Sequence, residues 1–147
     1  MNTAYPVTFK TYANGQIGAF FADVPEAITA AASQAEALDC AQDALVVALS
    51  SYLDDGRPLP VPGKAKRGQP VVVLPPRVAI KLAIHEAMRE QAMTQVRLGI
   101  DGRQVRRILD LDHESTLSQL EAALAALDLR AAVSVSKVSP VDSSVTA

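Results

Sequence analysis

Apolar residues recur at steps of three and four from Leu38 through Ala41, Leu45, Ala48/Leu49 and Tyr52, a spacing that predicts one apolar face on a helix from about Gln34 to Leu53. Ser33 stands three residues before Glu36, the pairing that satisfies free amides at a helix start. Asp54-Asp55-Gly56 ends this helix, and Pro58, Pro60 and Pro62 bar its continuation because proline lacks an amide donor and fixes φ. Ahead of it, Tyr5 to Phe9 and Ile17 to Phe21 are short runs rich in aromatic and β-branched residues. Asn14-Gly15 between them tolerates positive φ, so the two runs read as a hairpin. Ala27-Ile28-Thr29, entered at Pro25, reads as a third short strand. Val71 to Leu74 is a further β run, expected to pair back onto the front sheet and cover one edge.

The pattern changes after Pro75-Pro76, which opens a helix through about Gln91 with Val78, Leu82, Ala83 and Ala87 on its inner face. Thr94 can cap a short helix through Leu98, which Gly99 ends in the left-handed conformation. Asp101 with Gln104 forms a second capping pair, and Val105, Ile108 and Leu109 anchor a helix that turns Arg103, Gln104, Arg106 and Arg107 outward. A last helix runs from about Thr116 to Leu127, with Leu117, Leu120, Leu124 and Leu127 on one seam. This seam either joins copies of the chain or packs on the preceding helices. Residues 130–147 are rich in Ser and small side chains and read as a flexible tail, in which Ala131 to Val135 makes a strand only if given a partner edge. The expected fold class is α+β: a small antiparallel sheet with one long helix over residues 1–74, then an all-α helix-turn-helix domain over 75–129 and the tail over 130–147.

Composition sharpens this picture. Of 147 residues 49% are hydrophobic but only 4% aromatic, and Trp is absent, so each buried residue contributes little area and self-association is expected to help. Cys40 is the single cysteine, and with only His85 and His113 it makes neither an internal disulfide nor a four-ligand zinc site. No metal or cofactor is expected. Neither histidine stands in a carboxylate–cysteine or carboxylate–serine arrangement of the kind nucleophilic catalysis needs, and the expected strands carry only Asp23 nearby, so no catalytic residue is expected. The N-terminal MNTAYPVTF lacks the basic segment and apolar run of a secretory signal, and no stretch nears the roughly 18 apolar residues of a membrane span, which points to the cytoplasm.

Charge is unevenly spread. Residues 1–62 carry Lys10 and Arg57 against Asp23, Glu26, Glu36, Asp39, Asp43, Asp54 and Asp55, a balance of −5. Residues 63–76 carry Lys64, Lys66 and Arg67 with no acid, and residues 77–113 carry seven basic residues against five acidic. An acidic front half and a basic later segment suggest different partners. Lys64, Lys66 and Arg67 read as a solubilising linker.

The order of these segments resembles a family. The front half is similar to the HicB antitoxin fold, a partial ribonuclease-H-like domain, in Tyr5-Pro6-Val7, FADVPEAIT at 21–29, SQAEAL at 33–38 and YLDDGRPLPVP at 52–62. The later half resembles the helix-turn-helix domain that many such proteins carry, in MTQVRLGIDGRQVRRILDLDHESTLSQLEAALAALD at 93–128. The resemblance implies an antitoxin, not an enzyme, that covers a small basic HicA-type toxin, an mRNA interferase, and binds operator DNA of its own operon as a homodimer or homotetramer. It places toxin contacts at Phe21, Asp23, Pro25 and Glu26. It places DNA contacts at Arg103, Gln104, Arg106 and Arg107, with Thr94, Gln95 and Arg97 on phosphates. The leucine seam would join protomers. Complementary fields between an acidic lobe and a basic toxin agree with this reading. A stand-alone helix-turn-helix repressor with a ligand-sensing or protein-binding front lobe is the alternative. Two departures stand out: the family's phenylalanine-proline-aspartate reads Phe21-Ala22-Asp23, and about four residues are missing between Gln95 and Ile100. Such a loss turns a helix face by about 40° and shortens the helix by roughly 6 Å.

Overall fold

The computed structural model describes residues 1–92 and 99–137. They fall into two units, one from Met1–Ser51 with Pro60–Leu74 and residues 136–137, and one from Tyr52–Leu59 with Pro75–Val135.

In the first unit the expected strand from Tyr5 to Phe9 divides at Val7 into β1 (Ala4–Pro6) and β2 (Thr8–Thr11). Pairing explains the division. Leu74 N–H donates to Thr3 O at 2.9 Å and Val7 N–H to Pro70 O at 3.0 Å, so odd-numbered residues bond to β5 (Val71–Val73), antiparallel to β1. Bonding groups alternate along an antiparallel strand, so Pro6, which has no N–H, sits where this ladder needs none. Further along, β2 pairs with β3 (Ile17–Phe20), matching Thr8 with Phe20 and Thr11 with Ile17. The hairpin turn closes with Tyr12 N–H donating to Gln16 O at 2.8 Å and Gly15 N–H to Tyr12 O at 2.9 Å. Gly15 takes φ of +84° there, a value that only glycine reaches without a steric penalty. The third strand, β4 (Ile28–Ala31), pairs antiparallel with β3, giving the order β2-β3-β4.

Helix α1 (Gln34–Asp54) lies within a residue of its predicted span. Ser33 Oγ accepts from Glu36 N–H at 3.2 Å, and Gly56, at φ +64°, ends the helix with Arg57 N–H donating back to Tyr52 O at 2.9 Å. Its inner face is Ala37, Ala41, Leu45, Ala48 and Leu49; Leu38 and Tyr52, placed on that face by periodicity, are only half-buried. Gln42 Nε2 donates to Val73 O at 3.1 Å and ties α1 to β5. Tyr5 is buried with its hydroxyl donating to Pro60 O at 2.8 Å, and Gly63 N–H donates to Asp23 Oδ2 at 3.0 Å. From Pro60 on, the proline-rich stretch is thus held by the first unit's own side chains.

In the second unit, α2 (Pro76–Glu90) starts with Pro at its first position and buries Val78, Leu82, Ile84 and Ala87. Ala83, expected inside, is half-buried, whereas Lys81 and His85 are buried instead. Helix α3 (Gly102–Leu109) is capped by Asp101, whose side chain accepts from Arg103 N–H at 3.3 Å. Helix α4 (Leu117–Ala126) starts with a reciprocal box: Thr116 Oγ1 accepts from Gln119 N–H at 3.2 Å and Gln119 Oε1 from Thr116 N–H at 2.9 Å. Ile84, Ala87, Val105, Ile108, Leu120, Ala123, Leu124 and Leu127 form one core, with Ile100 packed against it. Three seam leucines therefore close the core of their own unit, and Leu117, at 59% exposure, alone faces outward. The expected helix Thr94–Leu98 lies outside the described residues, as do tail residues 138–147; Ala131 to Val135 forms no strand.

The Tyr52–Leu59 segment is seated on α2. Arg57 stacks over the Tyr52 ring at 4.0 Å, and Leu59 N–H donates to Glu86 Oε1 at 3.0 Å. His85 lies beneath it. Burial is the main cause that lowers its pKa below the ordinary 6.5; Glu86 and a backbone hydrogen bond with Arg57 pull the other way, and Arg89 adds to the lowering. Because the unfolded chain takes up the proton first, His85 contributes full stability above about 6.5 and loses it as pH falls through that value towards the folded pKa. His85→Leu is expected to flatten the fall in melting temperature between about pH 7.5 and 5, followed by helical circular dichroism. Equal slopes in both proteins would remove His85 as the source.

Candidate functional site

Two helix faces concentrate charge. On α1, Glu36, Asp39 and Asp43 are all exposed, and their spacing of three and four puts them on one outer stripe. One turn further along the stripe stands Val47, 67% exposed. On α3, Arg103, Arg106 and Arg107 are exposed at the same spacing, while Val105 and Ile108 hold the opposite face in the core. Gln104 is half-buried. Arg106 and Arg107 also occupy the last turn, where positive charge complements the helix dipole. Thr94, Gln95 and Arg97 lie outside the described residues.

The two units divide the charges differently from the sequence blocks. Pairing of β5 with β1 keeps Lys64, Lys66 and Arg67 in the first unit, as the expected domain over 1–74 has them, while Asp54, Asp55 and Arg57 fall in the second. Over Met1–Ser51 and Pro60–Leu74 four basic residues then face five acidic ones, a balance of −1 where the block of residues 1–62 had −5. The acidic character therefore belongs to a stripe and not to a lobe. Of the residues placed at a toxin contact, Phe21 is 3% exposed and part of the core, so it shapes the loop and offers a partner no surface. Asp23 is half-buried on Gly63 N–H, and Pro25 and Glu26 are exposed.

One residue of consequence is not among those that the sequence pattern singles out on α2. Lys81 is wholly buried, and its Nζ donates to Arg107 O at 2.9 Å, Asp110 O at 2.6 Å and His113 O at 2.6 Å. Burial is the main cause that lowers its pKa below the ordinary value, opposed first by Asp110; Arg77 adds to the lowering and Asp112 opposes it. Its position three residues after Val78 and four before His85, on the inner face, was the available signal.

In class the molecule is an α+β protein of two small units, each showing one charged helix face. Residues 4–83 match the model of the HicB-like antitoxin of bacterial toxin–antitoxin systems. Antitoxin HicB 1 of Photorhabdus laumondii subsp. laumondii is 33% identical over 138 residues, covering 91% of this chain and 88% of the relative. Antitoxin HicB of Escherichia coli K12 is 30% identical over 127 residues, covering 84% and 92%. Antitoxin HicB of Pseudomonas fluorescens Pf0-1 is 33% identical over 126 residues, covering 82% and 86%. The chain belongs to the HicB-like antitoxin family, and its role is that of the antitoxin in a toxin–antitoxin pair. Among the described residues no helix is long and apolar enough to cross a membrane.

Proposed function

We propose that this antitoxin neutralises a small basic HicA-type mRNA interferase by direct binding through its first unit, and represses its own operon by placing α3 on operator DNA. The first half is carried by the exposed stripe of Glu36, Asp39 and Asp43 with Val47, which offers a basic RNA-binding surface matched charge around an apolar contact. Pro25 and Glu26 are the loop residues available to extend that contact. The second half is supported by Arg103, Arg106 and Arg107, held outward by the buried Val105 and Ile108. Arg103 and Gln104, at the helix start, are assigned to base edges and Arg106 and Arg107 to phosphates. Neither role needs a catalytic residue, metal or cofactor, and both are placed in the cytoplasm, with the protein acting as a homodimer or homotetramer.

Co-expression tests the reading. A short neighbouring reading frame encoding a basic protein is expected to arrest growth alone, to be tolerated beside this chain, and to co-purify with it. Arrest that persists in the presence of a folded antitoxin, with no complex recovered, would reject that pairing.

A further inference from the structure

The carbonyls at a helix C-terminus have no partner within the helix, and burying them unpaired is costly. At the end of α3 three carbonyls each accept one main-chain N–H, Arg107 O from Asp110 at 3.3 Å, Asp110 O from His113 at 3.2 Å and His113 O from Ser115 at 3.0 Å, and a single side chain supplies a second donor to all three. Arg107 O belongs to the last turn, Asp110 is the C-cap, and His113 lies in the connection to α4. Lys81, from the middle of α2, reaches all three carbonyls, so each of its three N–H donors is used. Arg107 O also lies 3.5 Å from Ser115 Oγ and 3.3 Å from Asp110 N, so the ammonium sits inside a knot of main-chain bonds. Its positive charge stands at the negative end of the α3 dipole. A buried lysine in a small core is otherwise unfavourable, and packing alone would be served better by Leu or Met.

We propose that Lys81 is a positioning residue for DNA recognition: by clamping the C-terminal end of α3 to α2 it fixes the angle at which Arg103, Gln104, Arg106 and Arg107 are presented. This rests on the DNA-binding half of the proposed function. Apolar contacts at Val105 and Ile108 hold α3 down but are non-directional, whereas three hydrogen bonds at one end fix its rotation and tilt.

The test uses the full-length chain and two substitutions, Lys81→Met, which removes every donor, and the milder Lys81→Gln, which keeps two donors and no charge. Amides of α3 and of residues 110–115 are expected to exchange with solvent about tenfold or more faster in the variant, while those of α1 and β3 keep their wild-type rates. Preference for a duplex of the chain's own promoter over a random duplex is expected to fall about tenfold, with the salt-sensitive affinity for the random duplex retained. If Lys81→Met loses its helical signal, both readings are taken on Lys81→Gln. Unchanged exchange, or an unchanged preference in a folded variant, would overturn the proposal. A wild-type chain with no promoter preference would instead overturn the DNA reading, and exchange then judges the clamp by itself. In the wild type, nuclear magnetic resonance should show Lys81 ammonium protons protected from exchange. A Lys81 signal as labile as those of exposed lysines would end the proposal whatever the variants do.

Discussion

Replacing Asp39 and Asp43 together by Lys is expected to weaken the toxin complex about 100-fold, which corresponds to about 2.7 kcal/mol. Both side chains are exposed on the outer stripe of α1, four residues apart, so the exchange leaves the buried face of Ala37, Ala41, Leu45 and Leu49 intact. Circular dichroism should therefore stay unchanged while growth protection is lost. The effect is large because the substitution does more than delete attraction: it sets like charge against a basic surface, and such juxtapositions repel. Titrating wild type and variant against the toxin at low and high salt separates the contributions, since the difference between them should shrink as screening grows. If affinity is unchanged at both salt concentrations, the stripe is a solvated helix face and the contact moves to the loop of Pro25 and Glu26.

The second large effect concerns α3. Arg103→Ala with Gln104→Ala is expected to reduce promoter preference by about 1–3 kcal/mol per lost base contact, roughly 5- to 150-fold for each. Arg107→Ala should instead weaken binding to all duplexes and flatten the dependence on salt, as loss of one phosphate contact does. Mobility-shift titrations with promoter and random duplex at two salt concentrations distinguish the two patterns. Identical preference in the Arg103, Gln104 variant and the wild type would remove α3 from the reading of bases. Both substitutions sit at positions where the core makes no demand: Arg103 is exposed and Gln104 half-buried, with Val105 and Ile108 anchoring the helix from the other side.

Much of the local architecture could be read from neighbouring residues, because the forces that start, stop and face a short element act within a turn or two. Ser33 and Asp101 open their helices where the sequence placed the caps, Gly56 closes α1, and Gly15 turns the hairpin. The family resemblance was legible for the same reason, since its segments follow one another along the chain.

Residues far apart in sequence were another matter. No local signal says that Val72 pairs with Tyr5 in particular, or that Tyr52 to Leu59 joins the second unit and takes Asp54, Asp55 and Arg57 with it, which leaves the first unit near neutral. Periodicity marked the inner face of α2 but not that Lys81 on it would meet three carbonyls from residues 107–113. The leucines of α4 offered two possible uses, and only packing showed that Leu120, Leu124 and Leu127 are taken up by their own core. The sequence by itself determined which segments are helix or strand and which faces are apolar, because caps, turns and periodicity are short-range chemistry. Tertiary structure decided which charges share a surface and which polar groups are buried together, because electrostatic and hydrogen-bonding energies depend on distance in space and not on separation along the chain.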